Sequence, residues 1–148
     1  MKIAIGSDEW SQVVQDTINY IQQNGHQVTY FGATEEKSTP WSRAASHVAA
    51  KVASQEYDEG VLFCWTGTGV SIAANKVSGV RAALCADAET ARGARLWNKA
   101  NVLCLSLRTT TSALSREILD SWFSTHYNPN PEDDACIAEI EILDTKRE

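Results

Sequence analysis

The chain has little positive charge. Its 148 residues include 13 lysines and arginines against 19 aspartates and glutamates, which gives a net charge of -6 at pH 7. Nucleic-acid and membrane-surface binding need a basic face, so this balance argues against both as general partners, although a local site for a small anion stays compatible with it. No apolar run approaches the roughly 20 residues of a membrane-spanning helix, and no secretory signal precedes the first strand pattern. We therefore expect a cytoplasmic protein.

The four cysteines lack the spacing that is typical of metal sites. They form no Cys-x-x-Cys pair and have no histidine-rich neighbourhood to suggest zinc. Cys85 and Cys104 lie in apolar, strand-like runs, so we expect them to be small core residues. Free thiols in a reducing compartment fit this pattern better than disulfides. We expect no metal and no other cofactor.

Short apolar runs alternate with amphipathic helical patterns, which is typical of βαβ units. The pattern predicts five strands, at Lys2–Gly6, Gln27–Phe31, Gly60–Cys64, Arg81–Cys85 and Asn101–Leu105. It predicts helices over about Trp10–Asn24, Trp41–Ser54, Val70–Lys76, Glu89–Trp97 and Ser112–Thr125. Apolar strands separated by helices form a parallel sheet that is covered on both faces. The predicted fold class is α/β, a three-layer α/β/α sandwich with a five-stranded parallel Rossmann-like sheet.

The chain length suits one domain, which we place at residues 1–127. Residues 128–148 form a tail that begins with a proline-rich turn. Isoleucine and leucine residues then recur over Ala135–Leu143, which predicts an amphipathic helix. We favour packing of this helix on a partner subunit, and packing on its own domain is the alternative.

The segment from Gly60 to Lys76 holds the strongest functional signal. A buried apolar strand ends on Cys64, and a Gly67-Thr68-Gly69 turn leads into a helix of small residues. Backbone N–H groups at such a turn attract anions because they lack partners within the helix. A thiol beside an anion-binding turn predicts a catalytic site. Ligands bind at the carboxyl ends of parallel strands, and further polar residues fall there: Asp8, Asp87 and Arg108.

Motifs along residues 1–123 resemble those of the type B ribose-5-phosphate isomerases and the galactose-6-phosphate isomerase subunits. The most specific motif runs from Cys64 to Lys76, where that family shows Cys-Gly-Thr-Gly-x-Gly-x-Ser-x-x-x-Asn-Lys. Further matches lie at Lys2–Asp8, at Gly79–Cys85 and at Asn98–Leu103. An ordered set of matches across the chain is far more specific than a lone Gly-x-Gly.

The resemblance implies an aldose–ketose isomerase of carbohydrate metabolism, such as pentose phosphate interconversion, that moves a proton between adjacent carbons through an enediolate without a metal. It implies that Cys64 is the base and that Thr66 assists ring opening or holds the substrate. The N–H groups of Gly67–Ser71 would stabilise the enediolate oxygen, and Asp8 and Asn98 would hold sugar hydroxyls. The implied ligand is a sugar or sugar phosphate, and the implied assembly is a homodimer or homotetramer.

The chain departs from the family pattern within the site. Glu9 follows Asp8 where the family usually has a histidine, and Trp97 replaces a histidine that opens the sugar ring. Trp65 replaces a glycine, and the arginines that hold phosphate in the family tail give way to acidic residues at 132–134. Ring opening and phosphate binding therefore differ from the family pattern.

Several candidates have simpler alternatives. Cys64 could be a buried strand residue, and Asp8 could be the N-cap of the first helix. Glu9 could be a solvated acid of the first turn, and Arg108 could form a simple salt bridge. Trp97 could be a pocket wall or a core residue at a helix end, since indole does not shuttle protons at neutral pH.

Two other functions stay open beside the isomerase. The missing histidines and tail arginines suit a sugar- or nucleotide-binding homologue without turnover. They also suit a non-catalytic subunit that pairs with an active homologue. Turnover with exchange of a carbon-bound proton would distinguish the enzyme from both.

Overall fold

The computed structural model describes residues 1–146 and contains a five-stranded sheet between two helical layers. The strands are β1 Lys2–Ser7, β2 Gln27–Tyr30, β3 Glu59–Cys64, β4 Ala82–Leu84 and β5 Val102–Ser106. Their order in the sheet is β2-β1-β3-β5-β4, and every neighbouring pair is parallel. The predicted α/β/α sandwich is confirmed.

Six helices cover the sheet within these residues. They are α1 Gln12–Gln23, α2 Trp41–Ala53, α3 Thr68–Ala74, α4 Ala88–Leu96, α5 Ser112–Ser124 and α6 Pro131–Thr145. Buried side chains of α1, α4 and α5 pack on one face of the sheet, and those of α2 and α3 pack on the other. No helix in this part of the chain has the length and apolar character to cross a membrane.

Three helices begin two or more residues away from the predicted position. The α1 helix begins at Gln12, because the Ser7 hydroxyl donates to the Glu9 carbonyl over 2.6 Å and residues 8–11 form a turn. The α3 helix begins at Thr68, directly after the left-handed Gly67. The α6 helix begins at Pro131, where the Asn130 side chain accepts a hydrogen bond from a first-turn N–H and proline suits the first position.

The apolar residues of α6 do not form one buried face. Ile137 is buried, whereas Ile140, Ile142 and Leu143 are exposed. The helix contacts its own domain near its end, where the Gly79 N–H donates to the Asp144 carboxylate over 2.8 Å. The predicted helix is present, but its amphipathic character is weaker than the sequence indicates because Ile142 lies on the opposite side from Ile140 and Leu143.

A buried polar network joins the amino end of β3 to α4 and α5. Arg95 forms a 2.6 Å ion pair with Glu59, and the Trp122 indole N–H donates to the same carboxylate over 2.6 Å. The Arg95 guanidinium lies 5.0 Å from the Trp122 ring centroid and donates to the Ala100 carbonyl. Burial raises the pKa of Glu59, and Arg95 and Trp122 oppose that shift. Arg95 therefore has a structural role.

We expect Arg95→Ala to destabilise the fold by about 3–5 kcal/mol, because it leaves the Glu59 carboxylate buried and unpaired. Urea denaturation measures the change. Arg92→Ala is the matched control, since Arg92 pairs with Glu89 on the exposed face of the same helix and its loss should change stability little. Equal effects of the two substitutions would contradict a stabilising role for the buried network.

Candidate functional site

The carboxyl ends of β1, β3 and β5 lie side by side at one edge of the sheet. Their register pairs Ser7 with Phe63 and Cys64 with Ser106. Just past β1, the Asp8 N–H donates to the Phe63 carbonyl over 3.4 Å. Asp8 and Cys64 are therefore on neighbouring strand ends, at the edge where ligands bind in parallel sheets.

The Cys64 side chain faces the layer of α2 and α3. Side chains alternate along β3, so Leu62 and Cys64 pack on this layer while Val61 and Phe63 pack on the other. Cys64 is only 4% exposed. The sequence predicted a catalytic thiol beside an anion-binding turn and left a buried strand residue as the alternative. In the single chain the thiol is almost completely covered.

At residue 67, the turn after β3 has room for no residue larger than glycine. Gly67 has a φ of 75°, and a Cβ there would lie 2.5 Å from the Leu84 side chain and 3.0 Å from the Leu105 carbonyl carbon. Because the turn lies directly against β4 and β5, its backbone has a fixed position relative to the strand ends.

Two of the five predicted anion-binding N–H groups already have backbone partners. The Gly67 N–H donates to the Cys64 carbonyl over 3.2 Å, and the Ser71 N–H donates to the Gly67 carbonyl over 3.3 Å. These two groups are therefore not available to a ligand, which corrects the prediction. The first three N–H groups of α3 have no acceptor within a helix, and they belong to Thr68, Gly69 and Val70.

A small cavity of about 170 Å³ lies beside the turn. Its polar lining includes Thr66, Ser106 and Arg108, and Cys85 contributes to its wall. The Thr66 and Thr68 hydroxyls are 2.7 Å apart and exposed. Arg108 is exposed and has no ion pair with any residue in 1–146, so the salt-bridge alternative is not observed there.

Asp8 has an unsatisfied carboxylate oxygen at this edge. Its Oδ1 atom is buried and has no hydrogen-bond partner within residues 1–146. Burial raises the pKa of Asp8, and the charge of Glu9 adds to the shift. Asp8 does not cap α1, whose N-cap residue is Ser11, and Glu9 is exposed and precedes the helix. A buried polar atom without a hydrogen-bond partner is an exception in folded proteins, which makes Asp8 a candidate for contact with a ligand hydroxyl.

Asp87 and Arg92 make local bonds in α4. Asp87 is the N-cap, and its carboxylate accepts from the Thr90 N–H over 2.7 Å. This bond and the Thr90 hydroxyl lower the pKa of Asp87. Arg92 pairs with Glu89 at 2.7 Å. Both side chains therefore have structural partners.

The three histidines lie outside this cluster of strand ends. His26 packs on Phe123 with ring centroids 4.8 Å apart, and His47 packs on Phe31 at the same distance. His126 is exposed beyond the end of α5. His47, like His126, is exposed, whereas His26 is half-buried.

The structure does not bring Trp97 and Asn98 to Cys64. The α4 helix runs back from the carboxyl end of β4, so these residues follow it at the amino end of the sheet. There the Arg81 side chain, just before β4, donates to the Lys99 carbonyl over 2.9 Å. The six residues of β3 span roughly 16 Å, so Cys64 lies at the opposite edge.

Trp97 lies along its own helix. It is 50% exposed, and a Cβ on Gly93 would approach its ring to 2.7 Å. A cavity of about 830 Å³ is lined by Trp97 and Asn98 on one side and by Ile140 and Leu143 of α6 on the other. Trp97 is therefore a cavity wall rather than a core residue.

Asn75 has a positioning role that the sequence did not reveal. Its amide donates to the Ala82 carbonyl and accepts from the Ala82 N–H, both over 2.9 Å. It also donates to the Ser71 carbonyl over 3.0 Å. These bonds join the end of α3 to the edge strand β4, whose Leu84 contacts Gly67. The match to the family motif included this asparagine but indicated no partner for it.

We expect Gly67→Ala to destabilise the protein more than Gly25→Ala. Both glycines have positive φ, at 75° and 84°, so both substitutions introduce the same backbone strain. Only at Gly67 does the new Cβ meet neighbouring atoms, which adds about 1–3 kcal/mol. Urea denaturation of the two variants measures the difference, and equal losses would contradict the close packing of the turn.

Comparison with known proteins identifies relatives along nearly the whole chain. The Ribose/Galactose Isomerase family model matches residues 3–140. Ribose-5-P isomerase B of Listeria innocua is 34% identical over 129 residues, which cover 86% of this chain and 87% of the relative. Galactose-6-phosphate isomerase subunit LacB of Clostridium acetobutylicum is 38% identical over 144 residues, covering 97% and 83%. The structure of ribose-5-phosphate isomerase B of Clostridium thermocellum superimposes with a TM-score of 0.95, at 34% identity and 100% coverage of both chains. This chain belongs to the ribose/galactose isomerase family, whose members are aldose–ketose isomerases.

Proposed function

We propose that the protein isomerises a small sugar phosphate or a related sugar derivative, with Cys64 as the base that moves the proton. The observation that carries this proposal is the adjacency of Cys64, Asp8 and the Gly67 turn at the carboxyl edge of the sheet. A thiol, a carboxylate with a free oxygen and unpaired N–H groups are the donors and acceptors that an enediolate reaction needs.

In the proposed mechanism the Cys64 thiolate removes the proton from the carbon next to the carbonyl. The C–H bond breaks, an S–H bond forms, and the electron pair moves onto the carbonyl oxygen. The N–H groups of Thr68 and Gly69 stabilise that oxygen, and one such donor typically contributes roughly 3–4 kcal/mol. The proton of the hydroxyl on the neighbouring carbon moves to that oxygen, and the electron pair of the broken O–H bond forms the new carbonyl. The thiol gives its proton to the former carbonyl carbon, so the net reaction has no oxidant or reductant.

The remaining candidates hold the substrate. The free Asp8 oxygen accepts a sugar hydroxyl, and the Thr66 hydroxyl donates to a second oxygen. Arg108 binds the anionic end, because it lines the neighbouring cavity and has no ion pair of its own within residues 1–146. Acidic residues at 132–134, in the first turn of α6, oppose binding of a dianion to that helix, so α6 does not replace the arginines of the family tail.

Trp97 and Asn98 join the site from a second copy of the chain. They lie at the opposite edge from Cys64 in one chain, which leaves the site without the residue that holds a further sugar hydroxyl. Exposed apolar side chains on α3 and α6, among them Ile72 and Ile142, suit the contact between copies. The assembly is then a cytoplasmic homodimer or homotetramer in which α6, which contacts its own domain through Asp144, also packs on the partner.

We expect Cys64→Ala to lower kcat by a factor of about 10²–10⁴, because a positioned base contributes on that order. In D₂O the unaltered protein should incorporate deuterium at the carbon next to the carbonyl, and the variant should not. Mass spectrometry of recovered sugar phosphates measures the exchange. Cys104→Ala is the matched control, since Cys104 is a buried thiol in the same layer and should retain turnover. Absence of exchange from every aldose and ketose phosphate would contradict the proposed function.

The covered thiol favours one alternative, a sugar-binding homologue without turnover. At 4% exposure the sulfur reaches a substrate carbon only after a local movement. Calorimetry separates the two functions: a binding protein would hold its sugar equally well with Cys64→Ser and would show no exchange.

We expect two inactive variants to restore activity when they are combined. Cys64→Ala and Asn98→Ala each damage one half of a shared site, and a mixed dimer has one site with both residues intact. Random mixing makes half of the dimers mixed, so the mixture should recover roughly a quarter of the unaltered activity. Co-refolding of the variants followed by an isomerase assay tests this. Activity that never exceeds the sum of the two variants would place the whole site in one chain.

A further inference from the structure

Trp41 lies against the glycine turn although it belongs to another helix. It is the first residue of α2 and follows Pro40. A Cβ on Gly69 would be 3.0 Å from its Cδ2 and Cε3 atoms and 3.5 Å from Cε2. Because these three atoms surround the bond shared by the two indole rings, the ring face rather than its edge contacts Gly69.

The segment before Trp41 is joined to the end of β1. The Thr39 N–H donates to the Asp8 carbonyl over 3.1 Å. Two residues after Thr39, the Trp41 indole contacts Gly69. Thr68, next to Gly69, has its hydroxyl in hydrogen-bond contact with that of Thr66. Trp41 therefore bridges the loops after β1 and β3, the two loops that carry the acceptor oxygen and the free N–H groups.

Much of the indole is open to solvent. Trp41 is 47% exposed, although a side chain as large as tryptophan usually stabilises a fold by being buried. Trp122, which is completely buried, shows the usual arrangement in the same chain. One face of Trp41 is covered by the turn, and the rest of the ring is open to solvent beside the loops after β1 and β3.

We propose that Trp41 is a substrate-contacting residue that determines specificity, with its open surface packing on the C–H groups of the sugar chain. The proposal rests on the proposed function, because it takes Asp8 and the turn as the groups that hold the sugar. Carbon-bound hydrogens of a sugar have a slight positive charge and an indole face is electron-rich, so the two attract. The rigid indole of Trp41 at this position would also limit the length of the sugar chain that fits.

The experiment compares Trp41→Phe and Trp41→Ala on four-, five- and six-carbon aldose and ketose phosphates. We expect Trp41→Ala to raise KM for the preferred sugar roughly fivefold to tenfold, with kcat changed less than about threefold. Trp41→Phe should remain within about threefold of the unaltered protein because it keeps an aromatic face. The alanine variant should discriminate less among the three chain lengths, because the ring that limits the length is gone. Trp10→Phe is the control, since Trp10 packs edge-on against Tyr30 in the other layer.

A double-substitution cycle provides a readout that a merely structural residue would not alter. Gly69→Ala forces the indole to move by a few tenths of an ångström, since the new Cβ would lie 3.0 Å from it. It should therefore raise KM in the Trp41 protein and raise it less in the Trp41→Ala protein. Equal effects in both backgrounds would overturn the contact on which the proposal depends.

Calorimetric binding of the same sugars keeps this test separate from that of the isomerase. If the unaltered protein binds a sugar without turnover, the isomerase proposal fails, and a fivefold to tenfold weaker Kd in Trp41→Ala still supports Trp41 as a contact. Sedimentation of each variant is measured in parallel. Unchanged KM and Kd, no binding of any sugar, or loss of assembly with unchanged sugar affinity would overturn the proposal.

Discussion

The packing of the Gly67 turn between β4 and β5 is the constraint on which the site depends. A side chain at residue 67 would overlap Leu84 and Leu105, so the turn has one position relative to the strand ends. The parallel register then sets Cys64 beside β5 and Asp8 beside β3. Because the turn contacts β4, the Asn75 bonds to that strand also help to fix it. The geometry of the site is therefore a property of the sheet edge and not of one loop.

A parallel sheet also limits what one chain can assemble. Residues that follow a strand reach the carboxyl edge, whereas residues that follow a helix return to the amino edge. Cys64 ends a strand and lies at the carboxyl edge, whereas Trp97 and Asn98 follow a helix and lie at the amino edge. One sheet therefore separates residues that a single substrate would have to contact together. A second copy removes this separation without any change of fold, which links the proposed catalysis directly to the proposed assembly.

The fold could be predicted from the sequence because the patterns that indicate strands and helices are periodic and local. Apolar strands and amphipathic helices predicted all five strands and α1 to α5, with errors of up to two residues at their ends. Side-chain partners were less predictable. The Arg95–Glu59 pair joins residues 36 positions apart, and no local pattern indicates it. Trp41 was missed for the same reason, since its contact with Gly69 depends on how α2 packs beside α3. The family motif likewise did not indicate that the Gly67 and Ser71 N–H groups donate to backbone carbonyls of the same segment.

Tryptophan stands where the family pattern has a glycine, at Trp65, and a histidine, at Trp97, and a third tryptophan, Trp41, contacts the glycine turn. Trp65, Trp41 and Trp97 are all about half exposed or more, and none can exchange a proton at neutral pH. Indole surfaces supply contact area and exclude water, which strengthens the few polar groups that remain. In the proposed site, Arg108 and the unpartnered oxygen of Asp8 are the polar groups beside these indole surfaces. The proposed selection by shape along the sugar chain would compensate for the reduced number of cationic contacts.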